Sequence, residues 1–182
     1  MIGICISGYT SSGKSTLGSS IASKLGIKHI GMSYKSDVGN DDTRLIGMLE
    51  KLISEKDEAH AREFDRRVED EASGSNFIAT TRLSPWLIKN ATVRVWLDCG
   101  LQERARRRAA LSGKKDIDSE MKTVDRIDRL TSEHFMKVYG IDMNDRRIFD
   151  IAINTERMTL EEEIEQVLLL SIGRDKDNVL GD

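Results

Sequence analysis

Eight residues near the N-terminus have the types and spacing needed to bind the phosphates of a nucleoside triphosphate. Residues 8–15 fit the pattern G-x-x-x-x-G-K-[ST] at every fixed position. Gly8 and Gly13 allow a sharp turn and a close approach of the backbone to a phosphate, which a Cβ atom would obstruct. The ammonium of Lys14 can reach the β- and γ-phosphates, and the Ser15 hydroxyl is an oxygen ligand suited to Mg²⁺. The pattern therefore predicts triphosphate binding, without indicating which reaction follows.

The whole glycine-rich loop is a candidate for holding the triphosphate. Backbone N–H groups in such a loop converge on an anion, and the N-terminus of the following helix adds partial positive charge. We therefore expect phosphate contacts from a continuous stretch of residues: Gly8, Tyr9, Thr10, Ser11, Ser12, Gly13, Lys14, Ser15 and Thr16.

Four arginines lie within five positions further along the chain, at 104, 106, 107 and 108. Such a run usually forms a solvated helix face. Phosphoryl transfer, however, needs positive charge around the transferred group, and guanidinium forks supply it at two points. Arg104 and Arg107 share a helix face because they are three residues apart, so we predict both as catalytic. We expect Arg106 and Arg108 to point elsewhere, either to solvent or into ion pairs.

A further arginine, Arg82, directly follows a predicted strand. It could form a surface salt bridge. We favour binding of an acceptor phosphate, because the carboxyl end of a strand next to the glycine-rich loop faces the predicted cleft.

Strands and helices alternate along the chain, which predicts an α/β fold with a doubly wound parallel sheet between two layers of helices. The apolar patterns place strands at residues 2–6, 27–32, 76–80, 92–97 and 149–153 and helices at 17–25, 45–53, 61–72, 101–109, 119–139 and 160–170. Ser84 would cap one more short helix, with Pro85 at its first position.

The length of 182 residues suits one such domain. We predict a single domain at 1–172 and a flexible polar tail at 173–182. Within the domain, two helices in the stretch from about 33 to 73 would form a lobe over a second substrate. The segment from about 104 to 118, which contains a glycine-lysine turn, would form a lid that excludes water.

The composition indicates which classes of partner and which cellular location to expect. A net charge of −3 does not favour nucleic acid, and no apolar run reaches the roughly 18 residues of a membrane span. The first strand begins almost at the N-terminus, so we expect no signal peptide and a cytoplasmic location. Cys5 and Cys99 are interpreted as reduced structural thiols, and the three histidines lack the spacing of a zinc site. We expect a monomer.

The chain resembles the nucleoside monophosphate kinases of the phosphate-loop class, and most closely the archaeal-type cytidylate kinases. The resemblance covers roughly residues 1–170. It is carried by residues 8–16, Phe64-Asp65-Arg66-Arg67, Arg82-Leu83-Ser84-Pro85-Trp86, Val95-Trp96-Leu97-Asp98, the pair Arg104 and Arg107, Tyr139-Gly140-Ile141-Asp142-Met143-Asn144-Asp145 and Phe149-Asp150-Ile151-Ala152-Ile153-Asn154-Thr155.

The resemblance implies ATP- and Mg²⁺-dependent phosphorylation of CMP or dCMP on a five-stranded parallel sheet of order 2-3-1-4-5. It implies that Arg82 holds the acceptor phosphate, that Arg104 and Arg107 bridge donor and acceptor, and that Thr155 lies near the donor adenine. The acceptor would also contact Ser33, Tyr139 and Asp142. For Tyr139 and Asp142 an equally good interpretation is a helix end followed by a turn in which Asp142 caps the next short helix.

Three stretches depart from the usual family pattern: Thr80-Thr81 in place of Glu-Gly, the segment 31–35, and His134-Phe135 in place of Arg-Tyr. Two other functions therefore stay open. One is a kinase of another small metabolite or nucleoside monophosphate, and the other is a nucleotide-binding regulator without transfer activity. A GTP-binding switch is disfavoured, because we find neither an Asn-Lys-x-Asp motif nor an Asp-x-x-Gly motif after the third strand.

Overall fold

The computed structural model describes residues 1–32, 39, 41–55 and 58–179, with the side chains of 55–61 and 175–179 excepted. Its strands are β1 (Gly3–Gly8), β2 (Lys28–Ile30), β3 (Phe77–Ala79), β4 (Val93–Asp98) and β5 (Ile151–Asn154). Its helices are α1 (Lys14–Leu25), α2 (Asp42–Glu55), α3 (Glu58–Ala72), α4 (Ser84–Leu87), α5 (Leu101–Ser112), α6 (Ile117–Tyr139) and α7 (Leu160–Val179).

The five strands form one parallel sheet in the order β2-β3-β1-β4-β5, which confirms the expected α/β class and topology. β1 is central and buried along its whole length. It pairs with β3 through Cys5 and Ala79 and with β4 as far as Gly8 and Leu97. Because the strands are parallel, the glycine-rich loop, Arg82 and the end of β4 all emerge at one edge of the sheet.

Helices cover both faces of the sheet and bury apolar cores against it. On one face α1 and α7 pack on β1, β4 and β5 through residues such as Leu17, Ile21, Ile164 and Val167. On the other face α2 and α6 share a core that includes Leu49, Trp96, Ile127 and Phe135. This second core joins α2 and α6. Three of its residues, Leu49, Ile127 and Phe135, also line the space in front of the glycine-rich loop.

Two boundary predictions need correction. α7 runs to Val179, so residues 173–179 of the predicted tail are helical. Ser84 is the first residue of α4 and not its cap, because its hydroxyl donates to the Thr81 carbonyl oxygen at 2.8 Å and no side chain caps the helix. Among the described residues, no helix combines the length and apolar character required to cross a membrane.

Candidate functional site

The glycine-rich loop has the backbone shape expected of a phosphate cradle. Gly8 and Gly13 have φ values of +152° and +102°. A Cβ atom on Gly8 would lie 2.6 Å from Ser12 Oγ and 2.7 Å from the carbonyl oxygen of Leu97, so a side chain cannot be accommodated there. Ser11 also adopts the left-handed conformation, with φ of +61°. Gly8, Gly13 and the left-handed Ser11 therefore give the loop the tight turn of a phosphate cradle.

The loop lysine lies folded over the loop. Lys14 Nζ donates to the carbonyl oxygen of Tyr9 at 2.6 Å. Burial, followed by the positive charge of Arg82 and a smaller effect of Arg104, lowers the pKa of the Lys14 ammonium to about 7, although Asp128 acts in the opposite direction. An anion bound in the loop would favour the charged ammonium and raise this pKa again. Triphosphate binding and protonation of Lys14 are therefore linked.

This linkage predicts proton uptake on ATP binding. At pH 8 about nine-tenths of the Lys14 side chains are neutral when the pKa is about 7. We expect wild-type protein to take up about one proton per bound ATP, and the Lys14→Arg variant to take up none, because arginine stays charged. Calorimetric titration in two buffers of different ionisation enthalpy measures this number. Equal proton uptake by both proteins would contradict the assignment.

Arg82 lies beside the loop, as its position after β3 predicts. Its guanidinium donates through Nη2 to Thr10 Oγ1 and lies 3.2 Å from Asp128 Oδ1. Ser7 fixes the Arg82 backbone by donating its hydroxyl to the Arg82 carbonyl oxygen at 2.7 Å. Arg82 Nη1 is buried and has no hydrogen-bond partner among the described residues. A buried donor without an acceptor is costly, and an anionic ligand would satisfy it.

One buried carboxylate connects the loop with two of the arginines. Asp128 accepts hydrogen bonds from the Thr10 N–H at 3.0 Å and the Thr10 hydroxyl at 2.6 Å. Arg104 donates to its other oxygen at 2.5 Å, and also to the carbonyl oxygens of Thr10 and Cys99. Burial alone would raise the pKa of Asp128, but Arg82, the Thr10 hydrogen bonds and Arg104 together lower it. Asp128 is thus an anion held between two guanidinium groups.

Sequence reasoning missed Asp128. Its signal was an acidic residue inside the apolar stripe of α6, one position after Ile127 and four after Val124, both buried. A charged residue at a core position is rarely buried without a partner. The partners come from residues 10, 82 and 104, so only the folded chain identifies them.

The other predicted lid arginine lies next to the predicted adenine-side residue. Arg107 donates from Nη1 to Thr155 Oγ1 at 3.0 Å and from Nη2 to the Thr155 carbonyl oxygen at 2.7 Å. The Thr155 hydroxyl in turn contacts the carbonyl oxygen of Ser12 at 3.2 Å, and Glu103 accepts from Arg107 Nε at 3.1 Å. The structure therefore brings Arg107 and Thr155 together at the back of the loop.

The remaining two arginines differ from each other. Arg106 is exposed and pairs with Glu103, in agreement with the prediction. Arg108 is buried and pairs with Asp42 and Glu120, which is one of the two predicted alternatives, but it also lines the cavity in front of the loop, which was not predicted. The reason is that residues four apart share a helix face, and α5 buries residues 104, 105, 108 and 109 together.

A cavity of about 230 Å³ lies in front of the loop. The loop, the start of α1, the residues after β3 and α5 supply most of its polar lining, whereas α2, α3 and α6 supply most of its apolar lining. The polar lining includes Thr10, Lys14, Ser15, Thr80, Thr81, Arg82, Arg108 and Thr131. The apolar lining includes Met32, Leu45, Leu49, Phe64, Leu83, Ile127 and Phe135. The cavity can hold a ligand with a charged group toward the loop and a planar or apolar group toward the helices.

The predicted acceptor residues after α6 lie elsewhere. Asp142 accepts from the Asn144 N–H at 2.8 Å in a turn, and Tyr139 belongs to the aromatic and aliphatic cluster at the end of α6. Neither lines the cavity that the described residues form. Asn144 instead accepts a hydrogen bond from the Tyr9 hydroxyl at 2.7 Å, so this segment supports the loop from behind. Ser33 lies outside the described residues.

Ser15 and Thr16 occupy the first turn of α1, and both are exposed. Ser15 lines the cavity, so its hydroxyl is accessible to a metal ion that would accompany a nucleotide. Within the described ranges no group of three or more histidine, cysteine, aspartate or glutamate side chains is arranged to hold a metal ion.

Residues 3–157 match the model of the Cytidylate kinase-like family. A cytidylate kinase from Pyrococcus horikoshii is 33% identical over 161 residues, which cover 87% of this chain and 82% of that protein. A cytidylate kinase from Natronomonas pharaonis is 34% identical over 161 residues, with 86% and 82% coverage.

Solved structures give a fold comparison at lower identity. A gluconokinase from Sinorhizobium meliloti superposes with a TM-score of 0.60 at 15% identity. The superposition covers 100% of this chain and 98% of the gluconokinase. At this identity the likeness concerns the fold alone. It agrees with the α/β fold described above.

Proposed function

The chain belongs to the cytidylate kinase-like family, and on that premise we propose that it transfers the γ-phosphoryl group of ATP to a pyrimidine nucleoside monophosphate, CMP or dCMP. The observation that carries the proposal is the cavity in front of the loop. Lys14 and Arg82 line it together, and the buried Nη1 of Arg82 has no acceptor among the described residues. A phosphate at this end of the cavity would meet both cations.

The loop binds the donor, and Arg82 binds the acceptor phosphate. Lys14 then turns from the Tyr9 carbonyl to the β- and γ-phosphates. Arg104 and Arg107 lie on the α5 side of the loop, where they stabilise charge on the transferred group and the donor. No general base is required, because the second pKa of a phosphate monoester is about 6 and the attacking oxygen is already anionic near pH 7. Catalysis is therefore positioning and electrostatic stabilisation.

The residues present fit a magnesium ion. The Ser15 hydroxyl is exposed at the start of α1 and faces the cavity, and it would be the protein ligand of the ion. An Mg²⁺ ion held there would supply positive charge that neutralises phosphate oxygens. Thr155 lies on the donor side, whereas Ser33, Tyr139 and Asp142 are assigned to the acceptor by family resemblance alone.

The domain roles complete the proposal. We assign the acceptor lobe to the segment from about 33 to 73, of which residues 33–38, 40, 56 and 57 lie outside the described residues. We assign the lid to the segment from about 104 to 118. The cavity lining from α2, α3 and α5 supports both roles, because parts of each segment face the loop. The enzyme acts as a cytoplasmic monomer with no nucleic-acid or membrane partner.

A coupled assay of ADP release tests the proposal. With ATP and Mg²⁺ present, we expect CMP and dCMP to stimulate ADP release far above the rate seen without acceptor, and UMP, AMP and GMP to stimulate it less. Stimulation by a small alcohol and by no monophosphate would favour a metabolite kinase. Nucleotide binding without stimulation by any acceptor would favour a regulator that has lost transfer activity.

A further inference from the structure

A second arginine lines the cavity in front of the loop. Arg108 extends from α5, and its side chain is 10% exposed, against 67% for Arg106 on the same helix. Arg108 and Arg82 line the same cavity. Burial is the main cause that lowers the pKa of Arg82, and the positive charge of Arg108 makes a small further contribution in the same direction. Two guanidinium groups that line one cavity can bind a single anion between them.

We propose that Arg108 is a second binding residue for the phosphate of the acceptor, which it holds together with Arg82. This inference rests on the proposed function, because it assigns the acceptor's phosphate to that cavity. Arg108 is bound in place and not introduced by a motion of the lid: its Nη2 donates to Asp42, and its Nε lies 3.0 Å from Glu120. Nη1 is the guanidinium nitrogen outside this pairing.

The surrounding charges allow Arg108 to act on a ligand. Glu120 also accepts from Lys114 Nζ at 2.6 Å, and Lys114 lies 3.9 Å from Asp42. The carboxylates of Asp42 and Glu120 therefore both interact with Arg108 and with Lys114. These contacts orient the Arg108 side chain. A long side chain that is already ordered loses little entropy when it binds a phosphate.

The competing interpretation is a structural latch. Asp42 begins α2, whereas Arg108 belongs to α5 and Glu120 to the first turn of α6, so the same contacts tie the lobe to the lid. The two roles make different predictions for Asp42. If the contacts are a structural latch, removing the Asp42 charge breaks it. If Arg108 binds phosphate, the same change removes one carboxylate that competes with the phosphate for the guanidinium.

The test is calorimetric titration of protein saturated with a non-hydrolysable ATP analogue. Inorganic phosphate serves as a probe of the phosphate position alone, and CMP as a probe of the whole acceptor site. We expect Arg108→Met to weaken binding of both probes at least about tenfold. Its affinity for the ATP analogue should stay within about twofold of wild type. Arg106→Met is the matched control and should bind both probes as wild type does.

Asp42→Asn decides between the two roles, and we expect it to bind phosphate at least as tightly as wild type. If Arg108→Met does not fold, Arg108→Lys retains the charge and loses the two-point fork, and we expect severalfold weaker phosphate binding. Unchanged phosphate affinity in the Arg108 variant, equal losses in the Arg108 and Asp42 variants, or no phosphate binding by wild type would each overturn the inference. Wild-type binding of phosphate but not of CMP would refute the proposed acceptor and leave the role of Arg108 standing.

Discussion

Replacing Lys14 with alanine is expected to reduce phosphoryl transfer by about 10³-fold or more. The lysine is the one ammonium of the glycine-rich loop, and no other described cation lies within the same turn to replace it. Transfer spreads negative charge over the γ-phosphoryl oxygens, which Lys14 would contact in the transition state. Initial-rate assays at saturating ATP and acceptor measure the loss. Lys24→Ala, which removes an exposed lysine from the last turn of α1, is the matched control and should retain full activity.

The loss should not come from unfolding. The pKa of Lys14 is lowered in the folded protein, to about 7 from an ordinary 10.5, so the folded state binds fewer protons than the unfolded state between these values. Folding stability therefore rises with pH through that window, and the charged lysine destabilises the empty protein at lower pH. We expect Lys14→Ala to unfold at the same or a higher temperature than wild type at pH 7. Wild-type-like turnover of this variant would refute the assigned site.

Asp128→Asn is expected to damage both stability and catalysis. The substitution leaves Arg82 and Arg104 without their shared anion, while all three side chains are largely buried. Breaking a buried ion pair on one side typically costs about 3 kcal/mol or more of unfolding free energy. Misplacement of the two arginines and of Thr10 should lower turnover by about 10²-fold. Urea unfolding and initial rates measure the two effects.

The pH dependence of folding stability tests whether the negative charge of Asp128 is the cause of the stability difference. The pKa of Asp128 is lowered in the folded protein, so its contribution to stability is complete above the ordinary carboxyl pKa of about 4 and is lost as pH falls through the lowered value. The difference between wild type and Asp128→Asn should therefore be constant above about pH 5 and shrink below pH 4. Asp125→Asn alters a half-exposed acid on the same helix and should change neither property. A constant difference down to the acid transition would exclude the charge as the cause.

The loop and the sheet were predictable because their signals are local. Gly8, Gly13, Lys14 and Ser15 have fixed spacing, and the apolar strand before them and helix after them were evident from periodicity. The strand order followed from family resemblance and was confirmed. Arg82 was located correctly because the carboxyl ends of parallel strands meet at one edge.

The charge network around the loop was not predictable, because it depends on contacts between distant parts of the chain. Asp128 contacts residues that precede it by 118 and 24 positions. Arg108 was predicted to face solvent or to form ion pairs. It does form ion pairs, but it is also buried with Arg104 and lines the cavity. For Asp142, the turn to Asn144 supports the structural interpretation, and its role in acceptor binding stays a prediction.

We propose that a phosphoryl group passes from ATP bound at the loop to a nucleoside monophosphate bound in the cavity. Identification of the reaction products is the decisive experiment. ³¹P NMR of ATP, Mg²⁺ and CMP with wild-type protein should show the resonances of CDP and ADP growing together in equal amounts, with no inorganic phosphate. Appearance of ADP and inorganic phosphate without CDP, or no change in the ATP and CMP resonances, would contradict the account.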